Sequence, residues 1–171
     1  DALPIFYCLV KAADAGLSLS RDEARDIVSL GEKIKAAAAE QLPSVHPENP
    51  AIHTINQVEF TGPIERIEGY KSSKNAVVVS QGRLDSSPCR TGTSESKELQ
   101  IKRGELAIDE RFVHRSILET EFECHVRENC RIGDVNAIVP EISGRAWLTG
   151  ISQYGVDPTD PFPNGYRLGD T

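Results

Sequence analysis

Residues 85–94 read D-S-S-P-C-R-T-G-T-S and concentrate the side chains of this sequence that could do chemistry. The segment holds an acid, Asp85, a thiol, Cys89, and five hydroxyl side chains on Ser86, Ser87, Thr91, Thr93 and Ser94. We predict a strand that ends near Gln81 and a helix that begins near Thr91, which places Cys89 at a helix N-terminus. Unpaired N–H groups and the helix dipole favour negative charge there, so they lower the pKa of a thiol and offer donors to a carboxylate.

The same segment fits an amino-acid ligand. Gly92 allows the backbone to approach a ligand closely, and the neighbouring hydroxyl groups can cap the helix or donate to an anion. Asp85, four residues before Cys89, suits a cationic group such as an amine. Carboxylate donors, an amine acceptor and an activated thiol together describe an amino-acid site. A capped helix with an inert cysteine fits the same spacing, and the spacing alone leaves both interpretations open.

Composition limits the class of protein. The 171 residues suit one domain with a real core, and 39% hydrophobic with 26% charged residues is the balance of a soluble globular protein. The net charge of -7 argues against a nucleic-acid surface, which needs clustered lysine and arginine. No apolar run approaches the roughly 20 residues that span a bilayer. We therefore expect no membrane association and no nucleic-acid partner.

The four cysteines are too few and too scattered for a disulfide framework, which favours a cytoplasmic location. The only local pair, Cys124 and Cys130 in "CHVRENC", allows a disulfide or unpaired strand cysteines. The spacing lacks the four recognisable ligands of a zinc site, so we predict no metal.

Two helical segments are predicted. "SRDEARDIVSLGEKIKAAAAEQL" begins with a capping box of Ser20 and Glu23 and carries apolar residues at helical spacing. "SESKELQIKRG" ends in a cationic turn followed by Gly104, which is typical of the end of a short helix of about three turns.

Strands outnumber the helices, so the predicted fold is mixed. The segments with strand character are "PIFYCLV", a half-buried "IHTINQVEFTG", "NAVVVSQG", "RFVHRSILETEFECHV", "NAIVPEI" and "GRAWLTGISQYGV". Trp147, in the last of these, is predicted to lie in the core. The proline-rich tail "DPTDPFPNGYRL" is predicted to be extended and turn-rich.

The motif at residues 85–94 resembles the second active-site motif of the proline racemase and 4-hydroxyproline epimerase family, D-R-S-P-C-G-T-G-T-S, at eight of ten positions. The resemblance extends over almost the whole chain through "FYCLVKAADAGLSL", "VHPE", "RGELAIDERFVHRSIL", "IVPEISGRAWLTG" and "DPTDPFPNGY". It corresponds to the C-terminal half of a family chain.

The resemblance implies an α+β, diaminopimelate-epimerase-like domain, in which a largely antiparallel sheet curls around a central helix. Residues 1–150 would form this domain. Residues 151–171 would be an extended tail that in the family crosses back to the N-terminal domain.

The family inverts an α-carbon without a cofactor, using two cysteines on opposite faces of the substrate. The resemblance implies that Cys89 is the second cysteine and that Asp85 contacts the ring nitrogen of proline or 4-hydroxyproline. The main-chain N–H groups of Arg90 and Thr91 would hold the substrate carboxylate. The first cysteine normally lies in a Met-x-Cys-Gly-His sequence, and none occurs here, so the partner would be a complementary N-terminal domain or another chain.

Three hypotheses follow. The first is half of a proline or 4-hydroxyproline racemase or epimerase; the second is a non-catalytic amino-acid-binding or dimerising domain derived from that family, and a homodimer is compatible with either. The third is a cysteine hydrolase, which would need a histidine base near Cys89 and ranks last. Related dehydratases typically carry threonine at this cysteine position.

The sequence departs from the family pattern at several positions. Arg90 and Glu119 replace glycines, and Leu3–Pro4 replaces paired glycines beside the substrate. The helix after the motif is polar, although the family helix is usually apolar and buried. Burial of an unpaired Lys97 there would cost several kcal/mol.

Overall fold

A curved sheet and two α-helices make up the fold of the computed structural model, which describes residues 5–79 and 82–165. The helices are α1 (Ala24–Gln41) and α2 (Arg90–Lys102). The strands of this part of the chain are β1 (Phe6–Lys11), β2 (Ile55–Thr61), β3 (Glu65–Ile67), β4 (Tyr70–Val79), β5 (Arg83–Leu84), β6 (Phe112–Arg115), β7 (Glu121–Ile132) and β8 (Val135–Gly144).

The strands join in the order β1-β2-β4-β6-β7-β8, with β3 and β5 paired to β4. Only β1–β2 and β4–β6 are parallel among the described strands, and the remaining pairs are antiparallel. The long hairpin of β7 and β8 runs from the Phe122↔Gly144 pair to the turn after Ile132. The sheet is therefore largely antiparallel, as predicted.

The first helix covers one face of the sheet. The backbone N–H of Ser20 donates to Glu23 Oε2 at 2.9 Å, which is one arm of the predicted capping box, and a single 3-10 turn leads into α1. Ile27 of α1 is fully buried in a cluster with Val58 and Phe60 of β2 and Val78 of β4. This apolar layer is the main core of the domain.

The second helix lies against the opposite face, and the sheet curls around it. Ser96 of α2 contacts Glu59 of β2, and Lys97 lies over the ring of Phe112 on β6. The helix ends where its residues predict, because Gly104 adopts a φ of +68° and its N–H donates to the carbonyl of Ile101 at 2.9 Å. The predicted α+β fold with a central helix is thus confirmed.

Two strand predictions are wrong in informative ways. The β2 segment is buried at five of its seven positions rather than half-buried, because α1 covers one of its faces and α2 the other. Residues 145–156 form no strand, and Trp147 is 71% exposed rather than in the core, because β8 ends at Gly144 and no described element covers the segment.

The tail has the predicted turn-rich character as far as residue 165. Asp160 donates its N–H to the carbonyl of Asp157, and Gly165 donates to that of Phe162. All four cysteines are unpaired, and Cys124 and Cys130 lie on the same strand, β7. Within residues 5–79 and 82–165, no helix is long and apolar enough to cross a membrane.

Candidate active site

The backbone of Cys89 is held in an uncommon conformation at the start of α2. Its φ is +57°, a region that costs a non-glycine residue about 1 kcal/mol or more. The preceding peptide is fixed on both sides: the carbonyl of Pro88 accepts from Asn75 Nδ2 at 2.7 Å and from Thr93 Oγ1 at 3.1 Å, while the N–H of Cys89 donates to Ser87 Oγ at 3.1 Å. These three bonds define the direction in which the thiol leaves the backbone.

Cys89 is 8% exposed, and its sulfur lies 3.4 Å from the hydroxyl oxygen of Tyr7 on β1. Burial raises the pKa of Cys89 above its usual range, and the charges of Asp85 and Glu59 act in the same direction. The Tyr7 hydroxyl and the N–H of Gly92 oppose them by donating to the sulfur. The net direction corrects the expectation of a lowered thiol pKa, because desolvation outweighs the donors at the helix terminus.

Asp85 closes the turn that leads into the thiol. Its Oδ1 accepts from the N–H and from the Oγ of Ser87, both at 2.9 Å, and its own N–H donates to the carbonyl of Val77. The side chain is half-buried, and Oδ2 accepts no hydrogen bond from the described residues. One carboxylate oxygen is thus structural, and the other remains available to a cationic group.

Arg90 and Thr91 open α2. Their main-chain N–H groups belong to the first turn, where a helix offers no internal acceptor. The side chain of Arg90 is exposed and forms no ion pair with any residue that the structure describes. Since its backbone φ is not positive, this position does not require the glycine of the family pattern.

A buried polar network lies directly behind the thiol turn. The carboxylate of Glu59, fully buried on β2, accepts at Oε1 from Asn75 Nδ2 at 3.0 Å and from Ser96 Oγ at 2.6 Å. Asn75 therefore links Glu59 to the carbonyl of Pro88. A Cβ on Gly92 would come within 2.7 Å of Glu59 Oε2, so α2 can approach β2 this closely only because residue 92 is glycine.

His114 of β6 completes this network. Its Nδ1 lies 2.9 Å from Thr93 Oγ1, and because the single hydroxyl proton of Thr93 goes to Pro88, the imidazole Nδ1–H is the donor. Its Nε2 has no hydrogen-bond partner among the described residues and lies 3.8 Å from Glu59 Oε1. Burial holds the pKa of His114 well below its usual range, so the ring is neutral.

Lys97 is the buried cation anticipated for α2, but it has partners. Its Nζ lies 3.1 Å from the centroid of the Phe112 ring and donates to Gln100 Oε1 at 3.1 Å. Burial lowers the pKa of Lys97 and raises that of Glu59, while their mutual attraction partly offsets both changes. The polar face of the helix is therefore buried through cation–π contact and hydrogen bonds rather than left exposed.

The remaining predicted positions lie away from the thiol. Cys124 is buried beside Phe112, and His46 of the "VHPE" segment lies in the loop after α1, where its Nδ1 accepts from the N–H of Glu48. Glu119, where the family has glycine, adopts a φ of +63°, and Leu3–Pro4 lies outside the described residues. No group of three or more potential metal ligands occurs in residues 5–79 and 82–165.

Sequence reasoning missed Tyr7, Glu59 and Asn75 as members of the site. The acid in the middle of "QVEFT" and the amide in "KNAVVV" are the available signals, because each is a polar residue inside an apolar strand. Tyr7 carried no such signal, since an aromatic residue is ordinary in a strand.

Comparison with known proteins gives consistent matches. The family model described as Proline racemase matches residues 4–167. A probable proline racemase from Agrobacterium radiobacter K84, with bound carbonate, is 35% identical with a TM-score of 0.79, over 97% of this chain and 48% of its own. A hydroxyproline epimerase from Agrobacterium vitis, with bound trans-4-OH-L-proline, is 31% identical with a TM-score of 0.79, over 97% of this chain and 47% of its own. The chain thus spans about half the length of these two proteins.

Proposed function

Because the chain belongs to the proline racemase family, we propose that it forms one half of an amino-acid racemase or epimerase that acts on proline or 4-hydroxyproline. In this proposal the enzyme uses no cofactor, and the other half of the site comes from a complementary N-terminal domain or a partner chain. The confirmed family resemblance and the fold support the class of reaction.

The arrangement around Cys89 carries the proposal. A thiol projects from the first turn of α2 beside two main-chain N–H groups and a carboxylate, Asp85. The N–H groups of Arg90 and Thr91 would bind the substrate carboxylate, since donors at a helix N-terminus suit an anion. The free Oδ2 of Asp85 would accept from the ring nitrogen. These contacts would hold the α-carbon against the sulfur.

The proposed chemistry is a proton exchange at the α-carbon. The Cys89 thiolate takes the α-proton, so that an S–H bond forms, the Cα–H bond breaks and the electron pair remains on the substrate next to its carboxylate. An acid on the opposite face, supplied by the complementary half, then gives a proton to the α-carbon and inverts it. The two groups exchange roles in the reverse direction.

Deuterium exchange tests this proposal. The chain is incubated in deuterated water with L-proline or trans-4-hydroxy-L-proline, alone and with the N-terminal half of a relative supplied as a separate chain. We expect loss of the α-proton signal only when both halves are present, and no loss with Cys89→Ser. The absence of exchange from the combined halves, despite demonstrated association, would contradict the proposal.

A second candidate is a non-catalytic amino-acid-binding or dimerising domain. It is favoured by one observation: burial raises the pKa of Cys89, so the described half alone keeps the thiol protonated at neutral pH. Isothermal titration of proline into the chain, with Asp85→Asn as the matched variant, distinguishes the two candidates. Binding without exchange in the presence of the complementary half supports the second candidate.

A further inference from the structure

Tyr7 and Cys89 meet across the fold although 82 residues separate them in sequence. Tyr7 lies on β1, whose neighbouring Cys8 packs on the opposite side, toward the α1 core. Tyr7 therefore faces α2, and its hydroxyl oxygen reaches within 3.4 Å of Cys89 Sγ. It is the one side chain in residues 5–79 and 82–165 that forms a hydrogen bond with this sulfur.

A thiolate at this position has few sources of stabilisation. The sulfur is largely withdrawn from water, and the nearby carboxylates of Asp85 and Glu59 both disfavour a second negative charge. Against them stand the N–H of Gly92 and the O–H of Tyr7. Because a hydrogen bond to an ionised group is about twice as strong as one between neutral groups, the tyrosine contributes most when the sulfur is charged.

The order in which the two groups ionise defines their roles. Burial and the contact with Cys89 raise the pKa of Tyr7 far above its usual range. The phenol therefore keeps its proton when the thiol has lost its own. Tyr7 is the donor and the Cys89 sulfur is the acceptor.

We propose that Tyr7 is a further catalytic residue of this site, which stabilises the Cys89 thiolate through an O–H···S⁻ hydrogen bond. The catalytic role of Tyr7 rests on the proposed function, but its hydrogen bond to Cys89 can be measured without turnover. Tyr7 keeps its proton during the α-proton transfer, and the bond weakens as the sulfur becomes a neutral thiol.

The test is the pH profile of Cys89 alkylation in Tyr7→Phe, which removes one oxygen and keeps the ring. The chain is treated with iodoacetamide between about pH 6 and 11, and the Cys89 peptide is quantified by mass spectrometry. We expect the midpoint of the Cys89 alkylation profile to rise by about one pH unit in Tyr7→Phe. Below the midpoint the rate should fall about threefold, and the plateau at high pH should rise about threefold.

Two controls separate a hydrogen bond from loosened packing. Cys130 is alkylated in the same Tyr7→Phe sample, and its own midpoint should not change. Tyr154→Phe alters a tyrosine that is 92% exposed, so the Cys89 midpoint should not change in that variant. A ring-fluorinated tyrosine at position 7, whose hydroxyl is a stronger donor, should move the Cys89 midpoint downward. This variant also decides the question if Tyr7→Phe fails to fold.

An unchanged or lower midpoint in Tyr7→Phe, or no shift with the fluorinated tyrosine, overturns the inference. Loosened packing alone would admit water to the sulfur, so it would raise the alkylation rate and move the midpoint downward, because burial is the main cause of the raised thiol pKa. If α-proton exchange fails while the Tyr7 effect persists, the proposed function is wrong and the hydrogen bond stands. If exchange succeeds without a Tyr7 effect, only the inference is wrong.

Discussion

Cys89 and Glu119 are both non-glycine residues with positive φ, but different interactions hold their backbones in this conformation. At Cys89 three hydrogen bonds fix the preceding peptide, so the strained backbone directs the thiol that we propose as the base. At Glu119 the side chain forms ion pairs with Lys74 and Arg115, all partly exposed to solvent. Such pairs contribute about 0–1 kcal/mol, so they barely offset the backbone conformation.

Replacement of Glu119 by glycine and by alanine should separate the contribution of its ion pairs from the cost of its backbone conformation. Both variants lose the ion pairs, but only glycine tolerates a φ of +63° without strain. We expect Glu119→Gly to be more stable than Glu119→Ala by about 1 kcal/mol in urea unfolding.

An ordinary helical position provides the control for this comparison. At exposed Lys33, in the interior of α1, the order should reverse, with alanine more stable than glycine by about 1 kcal/mol. The same order at both positions would show that the backbone of residue 119 is not strained.

At the scale of elements, α2 is the unusual feature, because a polar helix occupies the centre of the domain. Its buried face consists of Gly92, Thr93, Ser96, Lys97 and Gln100. Four of these residues form hydrogen bonds to β2, to β6, to the Pro88 turn or within the helix, which satisfies much of the polar surface that burial would otherwise leave without partners. The same hydrogen bonds connect the helix to the thiol turn.

The pH dependence of stability should report the burial of Lys97. Burial lowers its pKa from 10.5 to about 7 in the folded chain. Between these values the unfolded chain holds a proton that the folded chain lacks, so stability rises with pH. Lys97→Met should therefore lose this rise, and its stability relative to the parent should fall by up to about 5 kcal/mol from neutral to high pH.

Glu59 increases the difference between the pH profiles of Lys97→Met and the parent. Without the lysine charge its pKa rises further, so in the variant the folded chain holds the extra proton and stability decreases with pH. Lys33→Met, at an exposed position of α1, is the control and should follow the parent profile. Parallel profiles for Lys97→Met and the parent would mean that Lys97 is charged throughout.

The helices were predictable because their signals are local. The capping residues before α1 and the glycine after α2 act within one turn of each helix end. Burial of both faces of β2 depends on which elements pack there, and the residues of "QVEFT" do not indicate that α2 is one of them. The site divides in the same way: Asp85, Cys89, Arg90 and Thr91 lie in one motif, whereas the Tyr7 contact depends on the position of β1 relative to α2.

At the scale of the whole molecule, the exposed apolar side chains after β8 are the main unexplained surface. Trp147, Leu148, Ile151, Tyr154 and Val156 are each at least 70% exposed. The chain covers about half of each of the two relatives, both of which match along nearly all of it. We therefore expect residues 145–156 to contact the complementary half of the proposed enzyme, since several large exposed apolar side chains in one segment are typical of an interface.

Trp147 makes this expectation measurable, because it is the only tryptophan of the chain. Alone, the chain should show the red-shifted emission and efficient acrylamide quenching of an indole in water. Addition of a tryptophan-free complementary half should shift the emission to shorter wavelength and reduce the quenching, because the indole leaves water. The shift should persist in Cys89→Ser, since association does not need the thiol, and should disappear when Ile151→Asp places a charge in the interface. Unchanged emission during demonstrated association would assign the interface to another surface.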